Sequence, residues 1–213
     1  MRIRWSALLL ASVVFCPPAS AQISIDAFGG TAYNLHTKLS IMQDGEPDLG
    51  FTAHYETRPL EDTPYFGVRV SLWKNNRAWV GTLVHHKLYL GNPPPEVKYF
   101  KITYGFNMAT LGLGWRHGNL GYTVGAGAVI THADNIVRGE RFLGTGGPLN
   151  KGYTFSGVVA LGSLQYRVPL YRKFYLSGET MVSAAYVQVK VANGEAHVPA
   201  AAFHLHAGFG YGF

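Results

Sequence analysis

Three features of this 213-residue sequence predict an all-β fold, a closed antiparallel transmembrane β-barrel: an export-type leader, a charge-poor, glycine-rich body without a long apolar run, and a closing segment of strict period two. Residues 1–21 read as a secretory signal, because Arg2 and Arg4 precede an apolar run over 5–15 and Ala19-Ser20-Ala21 offers small residues for cleavage. The run is about 11 residues, too short for a spanning helix, which needs roughly 20. Phe15 stands where a small residue would precede a lipidated cysteine, so cleavage near Gln22 is favoured over lipid attachment at Cys16. Removing the leader removes the sole cysteine, so the body, residues 22–213, has no disulfide and forms one domain held by burial and backbone pairing.

Charged residues make up 14% of the chain, against ~25% in soluble domains, and the 26 glycines disfavour long helices. Such a composition suits lipid, where every backbone N–H and C=O must be paired and only helices or closed barrels can span. With no apolar run of helical length, the barrel remains. The net charge of +6 falls to about +4 without the leader, and the cations are scattered, so nucleic acid is not an expected partner.

The elements follow in order. Strand one is expected over 23–37 and strand two over 65–73. Residues 38–64 are ambiguous, because 49–56 alternates well enough for a further strand. Eight strands with an outer hairpin extending strand two is the preferred reading, and ten strands the alternative. Strand three runs over 78–90, and an outer loop over 91–101 contains Pro93-Pro94-Pro95. Strand four spans 103–117, Gly118-Asn119 makes a short turn, and strand five spans 120–133 with Tyr122, Val124, Ala126, Ala128 and Ile130 on one face. A glycine-rich loop over 134–150 leads to strand six at 151–168, a turn at 169–172 and strand seven at 173–191. The last strand is the clearest: Ala201, Phe203, Leu205, Ala207, Phe209, Tyr211 and Phe213 alternate with Ala202, His204, His206, Gly208, Gly210 and Gly212. One face suits lipid and the other a crowded lumen. Gly208, Tyr211 and Phe213 resemble the terminal signal by which the assembly machinery recognises bacterial outer-membrane barrels.

Chemistry is expected at the outer rim. His85, Lys87 and Tyr89 end strand three on one face, taken as the lumen face, which leaves Val80, Val84 and Leu88 toward lipid. Thr103 and Asn107 start strand four beside them, and His132 and Asp134 end strand five at the same height. Glu179, His204 and His206 are expected to meet them across the lumen. His85 with Glu179 could serve as a proton acceptor or hold a divalent metal, and Lys87 could pair with a phosphate. The plainer reading is packing, with a Lys87–Glu179 ion pair and hydrogen-bonded histidines filling a narrow barrel. His86 and His132 are expected to point outward at the interface. No His-Glu-x-x-His, Gly-x-Ser-x-Gly, phosphate loop or His-x-Ser pair occurs.

Four blocks, Tyr65-Phe-Gly-Val-Arg-Val-Ser-Leu-Trp73, Val84-His-His-Lys-Leu-Tyr89, Phe100-Lys-Ile-Thr-Tyr-Gly-Phe-Asn107 and Gly125-Ala-Gly-Ala-Val-Ile-Thr-His132, resemble the lipid A oxidase-like outer-membrane proteins. The resemblance implies an outer-membrane location, lipopolysaccharide as partner, and oxygen-dependent conversion of the proximal glucosamine of lipid A to an aminogluconate. It carries over to His85, Lys87, Tyr89, Thr103, Gly105, Asn107, His132 and Glu179. The sequence departs from the family pattern at Tyr104, usually histidine or aspartate, and at Met181, usually lysine. The reading is an outer-membrane barrel that contacts lipopolysaccharide and modifies lipid A, against a non-enzymatic structural or binding role.

The terminal alternation makes one prediction. Replacing Phe213 with Asp should abolish assembly, read as loss of the heat-modifiable species from the membrane fraction; normal barrel there would refute the signal reading.

Overall fold

The computed structural model describes residues 22–144 and 152–213; the leader and the centre of the glycine-rich loop lie outside the described residues. The strands are β1 (Gln22–Asn34), β2 (Thr37–Gln43), β3 (Leu49–Ala53), β4 (Tyr55–Glu56), β5 (Phe66–Lys74) and β6 (Arg77–Leu90). They continue with β7 (Val97–His117), β8 (Leu120–Val137), β9 (Glu140–Leu143), β10 (Thr154–Pro169), β11 (Phe174–Val191) and β12 (Gly194–Gly212). No helix forms among the described residues.

Eight of these strands close a ring. β1, β5, β6, β7, β8, β10, β11 and β12 pair antiparallel in that order, and β12 returns to β1 from Ser24↔Gly212 to Asn34↔Ala202. One end carries tight turns, at Asn75-Asn76, Gly118-Asn119 and 170–173, with Asn75, Gly118 and Arg172 at positive φ. Both described termini lie at this turn end, and the longer connections gather at the loop end.

The ten-strand alternative does not hold. The expected first strand breaks after Asn34, and β2 resumes above it to pair with the loop-end part of β12, from Gly194↔Gln43 to His197↔Ser40. β3 pairs with β2, and β4 pairs with β6 through Tyr55↔Leu90. The hairpin therefore extends the wall between β12 and β6 rather than extending β5. β5 starts only at Phe66, while β6 and β12 run further toward the loop end and would otherwise expose unpaired edges. The loop expected from 134 is also partly strand, since β8 continues to Val137 and turns into β9. β7 begins at Val97 rather than at 103, and β12 at Gly194, so the wall stands taller at the loop end than the alternation suggested.

The terminal strand alternates as its sequence predicts. Phe203, Leu205 and Phe209 are exposed on the outer wall, and His204 and His206 are buried in the lumen. The glycines of its inner face make room for neighbours' rings. A Cβ on Gly208 would lie 2.7 Å from Phe28 Cβ, and one on Gly210 would lie 2.3 Å from the Tyr175 ring.

β6 overturns the expected register. Val80, Val84 and Leu88 are 1%, 0% and 0% exposed, whereas Trp79 and Leu83 are 49% and 42% exposed. Val80, Val84, His86 and Leu88 point inward, and His85, Lys87 and Tyr89 continue the outward parity of Leu83 but are 4%, 0% and 8% exposed, covered by residues 57–66. The expectation placed the face bearing His85, Lys87 and Tyr89 in the lumen. Its loop-end half is instead an apolar cluster that includes Val84, Leu88, Ile102, Phe106, Met108 and Val129. With apolar residues on both faces of β6, period two fixes the spacing but not the side.

Polar groups fill the other half of the lumen. Arg69 donates two hydrogen bonds to Glu179, one at 2.9 Å to Oε1, and Arg167 pairs with Asp26. A directional chain leads from Glu179 toward the apolar half. His206 Nδ1 donates to Glu179 Oε1 (3.1 Å), leaving Nε2 to accept from the Tyr65 hydroxyl (2.8 Å). The Tyr65 oxygen accepts from His204 Nδ1 (2.7 Å), and His204 Nε2 accepts from Ser183 (2.8 Å). Each donor thus finds an acceptor with both imidazoles neutral. His86, expected outward, is buried and donates to Asn34 Oδ1 at 3.0 Å.

The Arg69–Glu179 pair is nearly devoid of solvent, so removing one partner strands a charge. Glu179→Ala should lower unfolding stability by about 3–5 kcal/mol, whereas Arg69→Met with Glu179→Leu should recover most of it. Urea titration in lipid vesicles checks both; equal loss in the single and double variants would contradict the pairing.

Candidate functional site

The outward parity of β6 puts the expected rim residues on the outer face of the wall. Phe66 of β5 pairs with His85, which pairs on its other side with Asn107 of β7. The Phe66 and His85 rings stack with centroids 5.2 Å apart. His85 Nδ1 lies 2.8 Å from Asn107 Oδ1; since the amide oxygen can only accept, Nδ1 carries the proton and Nε2 is left as a base. Nε2 is buried with no hydrogen-bond partner among the described residues.

A local irregularity in β7 builds the rest. Ile102 and Phe106 are both paired to β6 and β8, so Thr103, Tyr104 and Gly105 form a bulge opposite Lys87 on one side and His132 on the other. The bulge lifts Tyr104 onto the outer surface, where its ring lies 5.3 Å from that of His132. Tyr153 completes the group: its hydroxyl donates to Tyr104 O at 2.9 Å, and its ring meets His132 edge-on at 5.6 Å. Gly105 has φ +156°, and a Cβ there would lie 2.1 Å from the Asn107 side-chain nitrogen. A side chain at this position would displace the Asn107 amide from its place beside His85. The Thr103 hydroxyl is buried without a partner among the described residues.

On the loop side, residues 57–65 strap the outward side chains of β6. Lys87 Nζ donates to the Glu61 carbonyl, and the Tyr89 hydroxyl donates to Asp62 Oδ2 at 2.8 Å. The Arg58 guanidinium sits over the Tyr89 ring at 4.8 Å. The strap then sends Tyr65 into the lumen and Phe66 outward onto His85, so one short segment ties the interior chain to the outer group. Next along the wall Asp134 accepts from the Tyr99 hydroxyl (2.7 Å) and from Arg141, with Lys101 Nζ 3.7 Å away.

His85, Lys87, Tyr89, Thr103, Asn107 and His132 therefore gather on the outward side of β6, β7 and β8, the first four of them buried beneath the strap and the bulge. Glu179 does not join them: it faces the lumen and is bonded to Arg69 and His206. His85 and Glu179 consequently make no common metal site, and the Lys87–Glu179 ion pair is replaced by Arg69–Glu179. No group of three or more His, Cys, Asp or Glu that could hold a metal ion occurs among the described residues. Sequence reasoning missed Tyr104, Tyr153 and Phe66. The signal was the loss of alternation over Thr103-Tyr104-Gly105, which marks a bulge. Of the terminal residues, Gly208 packs on Phe28 in the lumen, while Tyr211 contacts the Phe174 and Phe213 rings at 4.7 and 4.9 Å.

No family model and no curated protein matches the chain. Solved structures do. The outer membrane protein OprG from Pseudomonas aeruginosa superposes with a TM-score of 0.51 at 14% identity, over 91% of this chain and 96% of that one. The outer membrane protein AlkL, solved in lipid bilayers, gives 0.52 at 12% identity, over 100% and 97%. At these identities the likeness is one of fold, and it agrees with the ring of strands and its apolar outer surface: the chain has the fold of the small outer-membrane β-barrels.

Proposed function

We propose that this protein resides in the bacterial outer membrane with its loop end outward, and that the outer-face group on β6, β7 and β8 binds lipopolysaccharide and modifies its lipid A. One observation carries the reading: on the outward side of a wall that elsewhere presents Leu83, Leu111, Val124 and Leu205 to lipid, a polar group of His85, Lys87, Tyr89 and Thr103 lies buried beneath the 57–65 strap and the β7 bulge, with Tyr104 exposed at its edge. Within this group His85 Nε2 and the Thr103 hydroxyl are buried without a partner among the described residues, and the sugar–phosphate portion of lipid A at the loop-end height would supply one if the strap is displaced. His85, with Nδ1 committed to Asn107, would take a proton at Nε2 once the cover over that buried atom is displaced. Tyr104, Tyr153 and His132 offer a mixed aromatic and polar surface of the kind that sugars stack on. The resemblance to lipid A oxidase-like proteins gives the finer assignment, oxidation of the proximal glucosamine. The side chains present would supply binding and proton transfer, and Lys87 the cation for a phosphate once it exchanges its bond to the Glu61 carbonyl.

The strap supports a second reading. Lys87 and Tyr89 already have partners in residues 58–62, so the same surface could serve as a fixed, non-enzymatic lipopolysaccharide contact.

Mass spectrometry of lipid A from aerobic cells with and without the protein separates the two. Under the modifying reading, wild type shifts the lipid A mass, and His85→Ala abolishes the shift while the barrel stays heat-modifiable. If wild type leaves lipid A unchanged, the oxidase reading falls and the contact role stands. The strap gives a further expectation: Tyr89→Phe should weaken it by about 1 kcal/mol and speed protease cleavage within 57–64 relative to wild type, and an unchanged rate would argue against the Asp62 bond.

A further inference from the structure

The charges divide unevenly between the two ends. The acidic side chains outside the lumen all lie toward the loop end, whereas the turn end carries Lys74, Arg77, Arg116, Arg172 and Lys173 without a single aspartate or glutamate in its turns. Asp26 and Glu179, the lumen acids, are already committed to Arg167 and to Arg69. At the turn-end mouth of the barrel a cavity of about 280 Å³ opens between Arg116, Arg167, Arg172 and Lys173, beside Trp73 and Tyr175.

Arg116 is the group without a counterpart. Its guanidinium carbon sits over the Trp73 ring, 3.9 Å from the centroid, and Trp73 is itself anchored by donating to Ser24 Oγ at 2.9 Å. Stacking occupies the face of the guanidinium and leaves its edge donors for an anion. The Arg116 Nε is buried and has no hydrogen-bond partner among the described residues. Arg167 is held at the same mouth by Gln165 Oε1 (2.6 Å) and by Asp26 Oδ2 at 3.6 Å. If Arg116 were only a lid over the lumen, a buried cationic donor would be left unmade, a costly arrangement. An anion in the cavity would satisfy it.

We propose that the turn-end cavity is a phosphate-binding site. Four cations against the Asp26 carboxylate and the α-carboxylate of Phe213 in the lining leave an excess of two positive charges, which suits a phosphate with its several acceptor oxygens. In the proposed orientation the site opens to the periplasmic side, where the phosphate could be borne by an inner-leaflet phospholipid headgroup or by a soluble molecule. Ile23 and Phe174 in the lining suit either a glycerol backbone or an acyl chain root.

The test uses the intact mature barrel in an uncharged maltoside detergent, so it depends on neither membrane orientation nor lipid A chemistry. Inorganic phosphate, glycerol 3-phosphate and short-chain phosphatidylglycerol are titrated at constant ionic strength, and the phosphorus resonance of each probe reports binding. At least one probe should bind saturably, with affinity about tenfold or more weaker in Arg116→Gln and in Arg172→Gln/Lys173→Gln, the latter pair lying in an exposed turn. Binding of the soluble probes assigns a free phosphate; binding of the lipid alone assigns a headgroup. No saturable binding by any probe, or unchanged affinity in a heat-modifiable Arg172→Gln/Lys173→Gln barrel, overturns the proposal.

Discussion

Closure of β12 on β1 is the constraint from which the other features follow. With the terminal strand paired to the first over residues 202–212, each ring strand has two neighbours and the sheet has no open edge along the ring. Closure also decides sidedness. His204 and His206 can face only inward if Phe203, Leu205 and Phe209 face out, and inside they find Tyr65, Ser183 and Glu179. A lumen this narrow must be filled by side chains, and the charged ones among them must be paired.

Filling the interior displaces the polar chemistry of the rim. The loop-end half of the lumen holds Leu88, Ile102, Phe106, Met108 and Val129, leaving no interior space for His85, Lys87 and Asn107. The extra residues at Thr103-Tyr104-Gly105 then have one direction in which to bulge, since the inside is packed. An outward polar group on a lipid-facing wall is thus a packing consequence of an apolar lumen, and the strap at 57–65 grips the same surface because its two ends lead to Tyr55 inside and Phe66 outside.

The eight ring strands were legible where the two faces differ in chemistry. The last strand, with aromatics against histidines and glycines, was unambiguous, and so was β8, with Tyr122 and Val124 out and Thr123 in. β6 was not, because Val80 and Val84 resemble Trp79 and Leu83 in polarity, so the side had to be guessed from His85 and Lys87. The loop-end extensions were hidden for a different reason. β2 and β3 exist because β12 and β6 outrun their neighbours, which depends on strand stagger and is not written in any local pattern. Likewise the Arg69–Glu179 pair joins residues 110 apart, and only the closed ring places them opposite each other.

The filled lumen also bears on how the two candidate surfaces relate. Between the outer-face group and the turn-end mouth lie the Arg69–Glu179 pair, the Tyr65–histidine chain and the apolar cluster, each holding its neighbours by bonds or close packing. A solute could not pass along the lumen from the turn-end mouth without breaking the buried ion pair, a cost of several kcal/mol. The barrel therefore presents two separate polar surfaces on a rigid support rather than the ends of one passage. Under the two proposals, the wall at the loop end and the mouth at the turn end would therefore meet their ligands independently, a lipid A portion at one and a phosphate at the other.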